Sequence, residues 1–100
     1  MLTIDKKNEN GKVIIILNGR MDTNTAPLLQ NALIPSFDEA KQIELDFSQL
    51  SYISSAGLRT LLTAQKTAES KGASMTLKSV LEEIKDIFKM TGFDDILTII

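Results

Sequence analysis

Apolar and polar positions alternate in three stretches of this chain and recur at helical spacing in three others. Leu2 and Ile4 alternate with Thr3 and Asp5, as on a half-buried strand. Asn8-Glu9-Asn10-Gly11 reads as a turn, because Asn-Gly tolerates the positive φ of a tight hairpin. Val13-Ile14-Ile15-Ile16-Leu17 follows without alternation, which predicts a strand buried on both faces and hence central. Gly19 to Asn24 is a loop that ends in capping chemistry: Thr23, Asn24 or Thr25 can cap a helix, and Asn24 and Thr25 can also line the edge it leaves. Pro27 then falls in the first turn, where its missing N–H costs nothing. Ala26, Leu29 and Leu33 carry the helical period until Pro35 ends it.

Ile43, Leu45 and Phe47 alternate with Glu44, Asp46 and Ser48, a one-sided strand. Ser48 to Ser55 reads as the loop that follows it. The next helix places Leu58, Leu61, Leu62, Gln65 and Ala68 on one face and Arg59, Thr63, Lys66 and Ser70 on the other. Gly72 ends it. Ser74 to Leu77 alternates again. Ser79 is the expected cap of a third helix, whose Ile84, Ile87 and Phe88 oppose Glu82, Lys85, Asp86 and Lys89. Gly92-Phe93 has the form of a helix stop with its apolar clamp, and Met90 and Phe93 are expected in the core or at that stop. Ile96 to Ile100 closes the chain as an edge strand.

The order β-β-α-β-α-β-α-β follows. The class is α/β, with an antiparallel hairpin leading into right-handed parallel crossovers. The loops Gly19–Asn24, Ser48–Ser55 and Lys78–Ser79 should then leave the same edge of the sheet, the edge where open α/β sheets bind. That places Asp22 beside Ser54-Ser55.

Composition narrows the chemistry. Eleven basic against 13 acidic residues leave a net charge of −2, so no basic patch for nucleic acid is expected. With no Cys and no His, disulfides, Cys/His metal sites and Ser-His catalysis are excluded, and no metal or cofactor is expected. The longest apolar run, Val13–Leu17, is too short to span a bilayer; no targeting segment is expected, and cytoplasm is the expected compartment. General acid/base work would then fall to a perturbed carboxylate or Lys; the pair to consider is Asp22 with Asp46, though Asp46 falls on a strand's polar phase and reads as structural.

Ser54-Ser55-Ala56-Gly57 is the most informative segment. Its structural reading is a helix cap. Its functional reading is a hydroxyl placed to receive a phosphoryl group, since helix N-terminal amides and dipole favour an anion. Phosphorylation adds about −1.5 to −2 charges. Against a net charge of −2, that changes what one edge can bind.

DFSQLSYISSAGLRTLL (46–62), preceded by GRMDTNTAP (19–27), closely resembles a STAS domain, and most of all the stand-alone bacterial anti-anti-sigma factors. The resemblance extends over residues 1–100 as one domain. It implies a STAS-like mixed sheet of four to five strands with three or more helices. It implies a non-enzymatic partner-switching module, monomeric or weakly dimeric, that binds an anti-sigma factor which is also a GHKL-type serine kinase. A serine phosphatase reverses the modification, and ATP and its metal belong to the kinase. The family's Asp/Ser-Ser-x-Gly-Leu motif falls on Ser54-Ser55-Ala56-Gly57-Leu58. Ser55 is therefore the expected phosphorylation site. Ser54 is second, because it adds a hydroxyl where many members carry Asp. Asp22 matches the family's loop acid. Thr23, Asn24, Ser54, Ser55, Ala56, Gly57 and Arg59 complete the expected partner-binding edge. Gly57 by itself reads as a position of tight packing, and Arg59 as a helix-face charge one turn past Ser55. The alternative is a STAS accessory subunit, a binding scaffold in a lipid-transport ABC complex.

Overall fold

The computed structural model describes residues 1–100. Its elements are β1 (Leu2–Glu9), β2 (Lys12–Met21), α1 (Ala26–Leu33), a 3₁₀ segment (Ile34–Asp38), β3 (Gln42–Ile53), α2 (Ser55–Ser70), β4 (Ser74–Lys78), α3 (Glu82–Thr91), a 3₁₀ turn (Phe93–Asp95) and β5 (Thr98–Ile99). The α/β class and the mixed sheet with three helices are as expected. Asn10 and Gly11 both take positive φ, 51° and 80°, and make the two-residue turn that joins β1 to β2.

The five strands lie in the spatial order β1-β2-β3-β4-β5. The β1–β2 pair is antiparallel, and β2–β3, β3–β4 and β4–β5 are parallel. Each crossover thus steps in the same direction. A right-handed crossover that always steps the same way stacks its helices on one face of the sheet. The burial pattern agrees: Val13, Ile15, Leu17, Ile43, Leu45, Phe47, Met75 and Leu77 are buried, whereas their neighbours on the opposite face are not uniformly so. Phe88 of α3 meets Phe47 at 6.3 Å between ring centroids and 58° between planes, which seats α3 on the helix side. Such an aromatic pair contributes about 0.5–1.5 kcal/mol beyond its burial.

Several expectations are corrected. β2 is an interior strand, paired with β1 and β3, but Ile14 and Ile16 are only half-buried, because no helix covers their face. The α-helix does end ahead of Pro35, at Leu33, as expected; what the sequence does not announce is the 3₁₀ segment that follows, with Pro35 in its first turn. Ser79 does not cap α3. It takes φ 59° in the connecting loop, the N-cap position is Leu81 without a side-chain cap, and Glu82 and Glu83 complement the helix dipole instead. Met90 is 78% exposed rather than in the core. The closing strand shrinks to Thr98–Ile99, since Phe93–Asp95 coil and Ile96 and Ile100 face solvent. No helix is long and apolar enough to cross a membrane.

Glu44, on the open face of β3, is nevertheless buried. Lys12 of β2 reaches it at 2.9 Å and Lys78 of β4 at 3.6 Å, so one carboxylate ties three adjacent strands. The hydrogen bond from Lys12 outweighs desolvation and, with the charge of Lys78, holds the carboxyl below the usual 4.5. A lowered carboxyl stabilises the fold above its unfolded pKa, and that contribution is lost as pH falls through the lower folded value. Glu44→Gln should therefore cost about 1–2 kcal/mol at pH 7. The cost should vanish in acid below the ordinary glutamate range. Urea denaturation of both proteins at neutral and acid pH checks this; an unchanged difference would contradict it.

Candidate functional site

β3 is longer than its apolar alternation predicts because it absorbs two extra residues. Ile16 pairs with Asp46, Asn18 with Gln49, Gly19 with Leu50, Arg20 with Tyr52 and Met21 with Ile53, so β3 gains one residue on β2 at each of two irregularities. These bulges keep Phe47, Leu50 and Ile53 buried at a spacing of three, which a regular strand could not do. The predicted loop Ser48–Ser55 is thus strand as far as Ile53, and Gly19–Asn24 is strand as far as Met21. Past the second bulge the two strands end side by side, and the Ser54 N–H donates to the Met21 carbonyl at 2.8 Å.

The chain leaves β2 through a tight turn built on Asp22. Its Oδ1 accepts from the Asn24 N–H at 2.9 Å and the Thr25 N–H at 3.0 Å. The Thr25 hydroxyl accepts from the Asp22 N–H at 2.8 Å and lies within donating reach of the Arg20 carbonyl and of Asp22 Oδ1, at 2.9 and 3.1 Å. The Thr25 backbone bond, chiefly, holds the Asp22 carboxyl below the usual 3.8. Neither Thr23 nor Asn24 caps α1. The N-cap position is Thr25, and the carboxylate organising the entry is Asp22. Thr23 and Asn24 are exposed at the rim.

The chain leaves β3 directly into α2. Ser54 is the N-cap, in extended conformation, with its Oγ accepting from the Gly57 N–H at 3.3 Å. It is half-buried. Ser55, the first helical residue, is exposed, and its hydroxyl has no protein partner. The backbone N–H groups of Ser55 and Ala56 also have none. The two serines therefore differ: one is committed to the helix start, the other is free. Gly57 is buried. A Cβ there would come within 2.7 Å of Ile53 Cγ1 and 2.9 Å of Met21 Sδ, so its missing side chain lets α2 start hard against the strand ends. It shapes the edge from beneath.

A cleft of about 190 Å³ runs beside this edge between α1 and α2, lined by Thr23, Pro27, Gln30, Ala56, Arg59 and Thr60 among others. It joins Thr23, Ala56 and Arg59 in one surface. A larger cleft of about 360 Å³, around Lys41 and Lys71, lies at the opposite sheet edge and holds none of the predicted residues. The Lys78–Ser79 end does not join the site either. Lys78 registers with Asp46, well before β3 reaches Ser54, because β4 is only five residues long.

One pair escapes the sequence reading. Arg20 lies over the Tyr52 ring, 4.2 Å from its centroid, on the exposed side of the strand ends. Only the second bulge brings the two residues opposite each other. Asp22 and Asp46 do not form a catalytic pair. Asp46 sits mid-strand, and although burial would raise its carboxyl, the Ser48 N–H bond holds it below 3.8. Both acids are ionised at neutral pH, the opposite of a general acid's need.

The STAS domain family model matches residues 3–100. The chain is 26% identical over 98 residues to the anti-sigma-B factor antagonist of Bacillus subtilis, covering 98% of this chain and 90% of that protein. In structure it is similar to an anti-sigma factor antagonist from Mycobacterium paratuberculosis, with TM-score 0.88, 19% identity, and coverage of 99% of this chain and 85% of that one. It is also similar to the phosphorylated form of the Bacillus cell fate determinant SpoIIAA, with TM-score 0.76, 16% identity, and coverage of 100% and 91%.

The packing at Gly57 makes a direct prediction. Gly57→Ala should push against Ile53 and Met21 and cost about 1–3 kcal/mol, less if the Met21 side chain gives way. Urea denaturation measures it. Stability equal to the parent would mean that α2 is not held close to the strand ends.

Proposed function

The chain belongs to the STAS domain family, and within that family we propose that it acts as an anti-sigma factor antagonist whose binding edge is switched off by phosphorylation of Ser55. The observation that carries this reading is the contrast between the two serines. Ser54 spends its oxygen on the Gly57 amide, whereas Ser55 presents an exposed, uncommitted hydroxyl at the start of α2. The neighbouring Ser55 and Ala56 amides and the helix dipole favour an anion there. The relative from Bacillus subtilis bears the name of antagonist, and a fold neighbour exists in a phosphorylated form.

The partner on this reading is a cytoplasmic anti-sigma factor that is also a GHKL-type serine kinase. The kinase moves the γ-phosphoryl of ATP to Ser55 Oγ, releasing ADP and the hydroxyl proton, and a serine phosphatase hydrolyses the ester. The unmodified edge, with Thr23, Asn24, Ser55, Ala56 and Arg59, receives the kinase and so frees the sigma factor. Asp22 and Gly57 act by holding that edge in shape. A phosphate brings about −1.5 to −2 charges to a chain of net charge −2, all at one place. A partner packed there must desolvate or repel it.

Affinity capture from native lysate with ADP present should recover such a kinase. Against the recovered kinase, Ser55→Ala should bind like the unmodified chain, and Ser55→Asp should bind at least about tenfold more weakly. Equal binding by Ser55→Asp and Ser55→Ala would contradict the charge switch. Recovery of ABC-transporter subunits instead would replace this reading with the scaffold role.

A further inference from the structure

Arg20 and Arg59 are the only arginines of the chain, and both lie at this edge. Neither is in an ion pair, whereas Lys6, Lys12, Lys71, Lys78 and Lys85 all are. Arg20 is engaged with the Tyr52 ring. Arg59 is exposed and has neither an acidic nor an aromatic partner. It stands four residues after Ser55 on the same helix.

We propose that Arg59 is the counter-ion of phosphorylated Ser55 within the same chain, so that one modification both adds a phosphate to the binding edge and withdraws an arginine from it. The inference rests on the reading of Ser55 as the phosphorylation site. Residues four apart on a helix are neighbours, with Cβ atoms about 5–6 Å apart, and an anion on the N-terminal side of a cation is the favoured order. The guanidinium fork matches two phosphate oxygens at once, which a lysine ammonium does not. Ser54 lies four residues before Leu58 instead, so the same pair is not open to it.

Few other charges compete. Helix α1, across the cleft, has no charged residue. The preceding turn carries Asp22, whose Oδ1 is already hydrogen-bonded to Asn24 and Thr25, and the end of β2 carries Arg20 over Tyr52. The next charge along α2 is Lys66, two turns beyond Arg59. Before modification, then, Arg59 is free for a carboxylate of the docking protein. After modification it is occupied by this chain's own phosphate. The partner surface that fits is one with an acidic side chain opposite Arg59.

The test places phosphoserine at residue 55 of the full chain during synthesis and follows its ³¹P signal through a pH titration. With Arg59 present, the second phosphate pKa should lie lower than in Arg59→Gln by about 0.3 unit or more. Arg59→Lys should restore part of the shift, and Lys66→Gln should leave it in place. The gap should shrink at about 1 M salt. Identical titrations with Arg59 and with Gln at that position overturn the pairing. So does a shift that Lys66→Gln removes equally. This readout needs no kinase, so it is separate from the switch itself: a kinase that bound Ser55→Asp as tightly as Ser55→Ala would refute the switch and leave the ³¹P result standing.

Discussion

The site depends on one lateral bond between strand ends, from the Ser54 N–H to the Met21 carbonyl. It is the last bond holding β2 and β3 together. Two bulges in β3 deliver Ser54 to that point in register, with Phe47, Leu50 and Ile53 all still facing the core. Gly57 then lets the first turn of α2 rest on Ile53 and Met21. Those contacts hold the Asp22 turn and the start of α2 side by side. A regular strand would have turned Leu50 or Ile53 to solvent and aimed Ser55 elsewhere.

The electrostatics of the molecule follow the same division. Away from the edge, charge is spent on structure: Glu44 is shared by Lys12 and Lys78, Lys6 meets Glu39, and Lys71 meets Asp38. At the edge, Asp22 and Ser54 are committed to turn and cap, while the Ser55 hydroxyl and the Arg59 guanidinium are not. A rigid frame carrying a few unspent groups suits a switch that works by charge. Added charge then alters what can dock without having to reorganise the core.

Much of this was legible in the residues. The Asn10-Gly11 hairpin, the three helices and the Asp22 and Ser54-Ser55 juxtaposition follow from turn chemistry, apolar period and the handedness of crossovers. What escaped was set by tertiary context. A spacing of three at Phe47, Leu50 and Ile53 breaks the strand period, so it read as the end of a strand; only the β2 register makes it two bulges. Ser79 looked like a cap, yet its backbone is left-handed and α3 begins later. Val13–Leu17 looked doubly buried, but helices stacked on one face leave Ile14 and Ile16 on the other. The motif ranks Ser55 ahead of Ser54 without a physical reason; burial and the Gly57 hydrogen bond supply a difference between the two hydroxyls.

The central claim is that modification at Ser55 changes the charge of a pre-built edge and leaves the fold alone. Amide ¹H–¹⁵N spectra of the chain with serine and with phosphoserine at residue 55 test this most directly. Shift changes should be confined to Arg20–Ala26, Tyr52–Thr60 and the α1 residues lining the cleft. Changes spreading through β4 and α3, or broadening of the core around Phe47 and Phe88, would show a conformational switch and contradict the account.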